Sequence, residues 1–298
     1  MRKLISAMTG IGTVAAMVAL AGAVLMPAPS QAQEADSVVN KLKSTHTLTI
    51  GYRETSIPLS YLGPDGKPTG YSVEFCQKIA EAAKDDLKLP ELKIKYVPVN
   101  IQTRQALVAN GTVDIVCGGA VNTWTRQKQV AFTPVSWVSA EQLLVLKNSG
   151  IKDIKDLNNK VVIIATGGTS EPTIQRLIKE DHLNVKIMHV NSHPAALLAL
   201  ESQRGDAYLS DNAAFYSMIK QSKHPENLAI VGPELSYQPE AFIIPRYNPT
   251  FAWIAGHTMS EMFKDGEAEK LVKKWFTPFG VGVSPKLRAA WQTYSFPE

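Results

Sequence analysis

Thr47-Leu-Thr-Ile-Gly-Tyr52 is a short apolar and β-branched run that reads as a buried strand, and the order of the elements after it decides the fold. A turn-rich stretch holding Gly63-Pro64-Asp65-Gly66 leads into residues 71–87. There Val73, Cys76, Ile79, Ala80, Ala83 and Leu87 fall on one face of a core-facing helix. Next come a strand over 93–99, a short helix over 102–109 stopped by Asn110-Gly111, and a strand over 113–117 that opens into Gly118-Gly119. Strand and helix in alternation is the grammar of a mostly parallel sheet with helices on its faces, an α/β fold.

The grammar repeats in a second block: a strand over 161–165, a tight turn at Gly167-Gly168, a helix over 171–179, a strand over 185–190, a helix over 193–202, a strand over 207–210 and a helix over 212–221. Two extended segments, 141–146 and 241–245, bracket this block and read as paired crossings between two lobes. Residues 249–298 include a long amphipathic stretch with Trp253, Met259, Met262, Phe263, Leu271, Trp275 and Phe276, which is expected to return and complete the first lobe.

Ahead of the first strand, Met1-Arg2-Lys3, an uncharged stretch over 4–27 and the small-x-small Ser30-Gln31-Ala32 have the form of an export leader over residues 1–32. The polar Gln33-Glu34-Ala35-Asp36 lacks a basic stop-transfer flank, and no Cys lies near Ala32 to take a lipid. Cleavage and release into the periplasm are therefore expected, with retention as an anchor the alternative. After the leader no apolar stretch reaches about 18 residues, the length of a membrane span. Loss of Arg2 and Lys3 reduces the formal net charge of +4 by two, and the chain has no basic run, so no nucleic-acid partner is expected. The two cysteines, Cys76 and Cys117, either pair in an oxidising compartment or stay as buried free thiols. Their spacing fits no metal site, and no cofactor is expected.

Two features point to an anion and a third to a ligand in the cleft. Arg126 follows a strand, a glycine turn and Thr123, which predicts a short helix at a cleft edge with the guanidinium fork free for a carboxylate. Gly167-Gly168-Thr169-Ser170 lies between a strand and a helix, where unpaired N–H groups and the helix dipole favour negative charge. Asp211 follows a strand and begins a helix, at the open end of a sheet where cleft ligands bind. The plain alternatives are a solvated arginine, a tight turn and an N-cap aspartate.

Several short motifs in order carry a resemblance: Gly51-Tyr52-Arg53-Glu54, Pro58-Leu-Ser-Tyr61 through Gly70-Tyr71-Ser72, Gln102-Thr103-Arg104, Asn110-Gly111-Thr112-Val113-Asp114, Thr123-x-x-Arg126-Gln-Lys-Gln, Thr169-Ser170-Glu171 and Gly266-Glu267-Ala268-Glu269-Lys270. With them the chain resembles the amino-acid-binding components of ABC importers, of the polar amino acid type, and within these the glutamate/aspartate-binding branch. The resemblance spans the whole chain after the leader. It implies a type II periplasmic-binding-protein fold: lobe 1 over 33–140 and 241–298, lobe 2 over 141–240, two hinge strands, and a ligand in the cleft that drives closure. It implies as partners a small amino acid or related acid and the permease subunits of an inner-membrane importer, and a monomer is expected.

Residue by residue, the resemblance implies that Arg126 grips the ligand's α-carboxylate, that Gly168 and Thr169 complete that site from the other lobe, and that Asp211 takes the α-amino group. Arg53 and Arg104 would face a distal carboxylate, with surface ion pairs as the alternative. His193 matches a pocket histidine of the same relatives, with a helix-cap or turn role as the alternative. The chain departs from the pattern at Ile101 and Gly119, where relatives have Ser, and at Val121, where they have Thr. Gly119 is left with its backbone carbonyl as a contact, and the wall becomes apolar at Ile101 and Val121. The ligand is thus either glutamate-like, a modified acidic amino acid, or a dicarboxylate without the amino group. An enzyme resembling the periplasmic cyclohexadienyl dehydratases is a further alternative, with Glu171 or His193 as the general acid, and a ligand-sensing module for a membrane receptor is another.

Overall fold

The computed structural model describes residues 35–297, so the leader expected over 1–32 lies outside the described residues. In chain order the elements of the first part are α1 (Ser37–Thr45), β1 (Thr47–Tyr52), β2 (Thr55–Ser56), β3 (Ser60–Leu62), β4 (Pro68–Thr69), α2 (Tyr71–Asp86), β5 (Lys93–Pro98), α3 (Arg104–Ala109), β6 (Ile115–Val121), α4 (Trp124–Gln127), β7 (Ala131–Phe132) and β8 (Trp137–Ser139). The second part holds β9 (Glu141–Leu146), β10 (Val161–Ala165), α5 (Ser170–Glu180), β11 (Lys186–Val190), α6 (His193–Glu201), β12 (Ala207–Asp211), α7 (Asn212–Gln221) and β13 (Leu228–Val231). The chain closes with β14 (Gln238–Ile244), α8 (Pro249–Lys264), α9 (Glu267–Trp275) and α10 (Pro285–Gln292).

Two sheets make a two-lobed fold. The first runs β5-β1-β6-β14-β7, with β8 also on β14, and the second runs β11-β10-β12-β9-β13. In each, three strands are parallel and every pairing beyond them is antiparallel, so the sheets are mixed. The physical reason lies in the connections. Helical crossovers give the parallel trio in each sheet, whereas β9 and β14 enter directly from the other sheet and need no crossover.

Side-chain alternation places a core on both faces of the second sheet. Leu143, Val145, Ile164 and Leu209 pack with Ile174 and Leu177 of α5, while Leu144, Ile163 and Tyr208 pack with α6 and α7. In the first lobe the main core gathers β1, α2, α8, α9 and α10, and Trp137 stacks on Phe276 with ring centroids 3.8 Å apart. The segment after 249 therefore completes this lobe, although Trp253 lies on its exposed side and stacks on His257. Gly51 allows β1 its close neighbours: a Cβ there would meet Val116 at 2.9 Å and Val113 at 3.0 Å.

Two expectations change. Strand β6 does not open at Gly118-Gly119 but runs through both glycines to Val121, because β14 arrives from the far end of the chain to pair with it at Ala120 and Val121. The segments 141–146 and 241–245 do not pair with each other either, since β9 belongs to the second sheet and β14 to the first. The crossings come earlier, where Gln238 pairs with Ser139 and the Leu235 N–H donates to the Glu141 carbonyl at 2.9 Å.

Cys76 on α2 and Cys117 on β6 form a disulfide that closes a loop with a sequence separation of 41. A loop of that length constrains the unfolded chain by about 4 kcal/mol in the chain-entropy model, and native disulfides are worth about 2–5 kcal/mol when removed. The double variant C76A/C117A is expected to lose stability in that range, read as a lower denaturation midpoint in urea.

Candidate ligand-binding cleft

The C-terminal ends of the parallel strands of both sheets face one cavity, the place where sheets of this kind leave main chain and side chains free for a ligand. Arg53 leaves the end of β1, Gly119 lies in β6, Arg104 opens α3 and Arg126 sits on α4. Across from them Gly168 and Thr169 follow β10, His193 opens α6 and Asp211 ends β12. All eight residues singled out from the sequence for a ligand line this one cavity, together with Ile101 and Val121.

The three arginines are buried, with exposures of 5% for Arg53, 4% for Arg104 and 8% for Arg126. None of them makes an ion pair among the described residues. The Arg126 fork is not free, contrary to the expectation from sequence. Its Nη1 donates to the Val121 carbonyl at 2.8 Å and its Nη2 to the Gly167 carbonyl of the other lobe at 3.0 Å. Arg104 donates from Nη1 to the Gly119 carbonyl at 2.7 Å, and its buried Nε has no partner among the described residues. The Arg53 stem packs against Gly118, where a Cβ would meet its Cγ at 2.7 Å, and its guanidinium makes no hydrogen bond among the described residues. Burial lowers the pKa of each guanidinium, and Arg104 is lowered further by the nearby charges of Arg126 and Arg53. Three like charges held this close and this dry are costly unless an anion lies among them.

The facing groups divide by charge. Thr169 flanks α5, whose first-turn N–H groups have no intrahelical acceptors, while the Gly168 N–H closes a turn onto Ala165 at 3.1 Å. Asp211 occupies the N-cap position of α7, but its side chain makes no capping hydrogen bond. Its carboxyl is raised by burial and by Glu141, against the pull of Arg104 and Arg126. The His193 ring has Nδ1 2.9 Å from the Tyr208 hydroxyl and is pushed down to about 3 by burial, Arg53 and Arg104, so it is neutral; Ser192, not His193, is the N-cap of α6. Glu171 lies outside the cavity and contacts His189 at 2.7 Å, a hydrogen bond that holds its carboxyl low.

Glu240 is the group that the sequence reading missed. It is 3% exposed, lines the cavity, and accepts from Ser139 Oγ at 2.5 Å through Oε1. Burial and the charge of Asp211 push its carboxyl up to about 8. Its place directly before the apolar run Ala241-Phe-Ile-Ile244 was the available signal; starting that strand at 241 hid it.

The profile of the bacterial extracellular solute-binding proteins, family 3, matches residues 48–278, and the chain belongs to that family. The L-glutamate/L-aspartate-binding protein of Pseudomonas aeruginosa is 37% identical over 256 residues, covering 86% of this chain and 85% of that one. The glutamate/aspartate import solute-binding protein of Escherichia coli K12 is 35% identical over 262 residues, covering 88% and 87%. Among solved structures, an ancestral arginine-binding protein bound to arginine superposes with a TM-score of 0.69 at 27% identity, over 78% of this chain and 98% of that chain.

Gly119 has φ +47, and a Cβ on it would lie 2.5 Å from Glu240 Oε2 and 2.6 Å from Leu59 Cδ1. Gly119→Ala is therefore expected to destabilise the protein by about 1–3 kcal/mol through backbone strain and steric conflict, measured as a drop in melting temperature.

Proposed function

We propose that this protein captures an acidic amino acid, glutamate- or aspartate-like, in the cleft between lobe 1 (33–140 and 241–298) and lobe 2 (141–240), and delivers it to an ABC permease. The observation that carries the reading is the set of buried arginines, Arg53, Arg104 and Arg126, without a carboxylate partner at the mouth of two sheets. The names of the relatives from P. aeruginosa and E. coli support the same class of ligand. Arg126 and the first turn of α5 receive the α-carboxylate, Asp211 the ammonium group, and Arg53 with Arg104 the distal carboxylate. A carboxylate binds a guanidinium fork more strongly than a backbone carbonyl does, so the ligand replaces the present acceptors of Arg126.

Closure is a population shift, because a ligand held by both lobes stabilises only the conformation in which both reach it. The protein works outside the cytoplasm after loss of residues 1–32, as a monomer, and performs no chemistry on its ligand. Against the dehydratase reading stand a Glu171 that lies outside the cavity and a His193 held neutral, neither fitted to act as a general acid near pH 7.

A thermal-shift screen of the purified protein against L-glutamate, L-aspartate, C4 to C5 dicarboxylates, and neutral and basic amino acids tests the proposal. A ligand at a hundred times its dissociation constant adds about 2.7 kcal/mol to the folded state. Acidic amino acids are expected to give the largest shifts, and shifts from neutral or basic compounds alone would overturn the proposal. In the same assay Arg53→Met is expected to raise the melting temperature of the free protein, since it removes a buried unpaired charge, while abolishing the ligand-induced shift. Arg126→Lys is expected to weaken binding about tenfold or more in calorimetry, because an ammonium cannot reproduce the two-pronged contact.

A further inference from the structure

Glu240 is the second carboxyl group of the cavity, beside Asp211. Strand β14 brings it in from the hinge side, and Ser139 holds only one of its oxygens. The other oxygen lies beside Gly119, in space that any side chain at that position would take. The bare main chain at 119 is thus what leaves room for the carboxyl. The charged and titratable groups around it come from six directions: Asp211 from β12, Arg104 from α3, Arg126 from α4 and Arg53 from the end of β1, with the Ser139 hydroxyl on β8 and the Tyr71 phenol on α2. Asp211 is the group of like charge that acts on it, and burial with that charge disfavours a second ionised carboxylate in the pocket against the pull of Arg104 and Arg126.

We propose that Glu240 and Asp211 together form a two-carboxylate seat for the ligand's ammonium group, and that the ammonium displaces the proton that Glu240 holds in the free cleft. This rests on the acidic-amino-acid reading and narrows it. Counted over the groups that line the cavity, three guanidinium groups, two carboxylates and an acidic amino acid of net charge −1 sum to neutrality; Glu141, which acts on Asp211 and Arg126, lies outside that lining. A dicarboxylate without the ammonium reaches neutrality only if Glu240 keeps its proton. The two ligand classes are therefore read with opposite proton linkage, and the cleft selects amino acids over their deaminated analogues as the pH rises. In the binding step the Glu240 O–H bond breaks, its electron pair stays on the carboxylate, the proton leaves to solvent and the ammonium takes its place.

With a free-state value of about 8, Glu240 is protonated at neutral pH and must ionise for binding, which sets the sign of the pH dependence. Affinity for L-glutamate is expected to rise about tenfold from pH 6 to pH 7 and to level off above pH 8, since one proton is released per ligand bound. Titration calorimetry at pH 7 in buffers of different ionisation enthalpy should count close to one proton released, a measurement that needs no variant. Glutarate should show no such release. E240Q, whose amide cannot ionise, should give a flat pH profile with L-glutamate, whatever its absolute affinity. Binding of L-glutamate by the unaltered protein without proton release, or release that persists in E240Q, overturns this proposal and leaves the acidic-ligand reading standing. Failure of both L-glutamate and L-aspartate to bind at any pH from 6 to 8.5 overturns both.

Discussion

Three guanidinium groups stand in a dry cleft without an ion-pair contact among the described residues, and most of their surroundings are arranged to make that tolerable. Backbone carbonyls of Val121, Gly119 and Gly167 accept from two of them, which disperses part of the charge without neutralising it. The imidazole of His193 stays neutral beside them, and two carboxyls further off raise their own pKa values instead of pairing. A fold optimised for stability alone would fill such a space with apolar side chains. Retaining the charges keeps an arrangement that is unfavourable for the stability of the free protein.

Much of the architecture could be read from the residues because each strand of the parallel trios is a short unbroken apolar run followed by a turn and an amphipathic helix. The boundaries of β1, β9, β10 and α7 come directly from that pattern. The failures share one cause: partners distant in sequence. Nothing local in Gly118-Gly119 tells that a strand more than a hundred residues later will pair beside them and carry β6 onward. The same pairing decides that β14 begins at Gln238 and so brings Glu240 inside. Short elements without a hydrophobic period of their own, such as the β2-β3-β4 sheet, and the helix α1 were invisible for a related reason, since long-range packing rather than local pattern fixes them.

The cleft was read better than the reach of its side chains. Position at the end of a strand or the start of a helix is a local property, so Arg53, Arg104, Arg126, Gly168, Asp211 and the others could be placed on one opening. The contacts of each group are not local. The Gly119 carbonyl, expected to be a ligand contact, is occupied by Arg104, and the Arg126 fork already spans both lobes. Set against the family resemblance, Ile101, Gly119 and Val121 are three expected hydroxyls that this chain lacks. One of them, at Gly119, is better understood as an exchange, because the missing side chain is what admits the carboxyl of Glu240.

Strand β6 is pinned along both its edges and at one face: β1 on one side, β14 on the other, and the covalent link from Cys117 to helix α2 beneath. The floor of the cleft is consequently a stiff anvil, since a strand fixed along both edges and tied covalently to the helix beneath it has little freedom to shift against its neighbours.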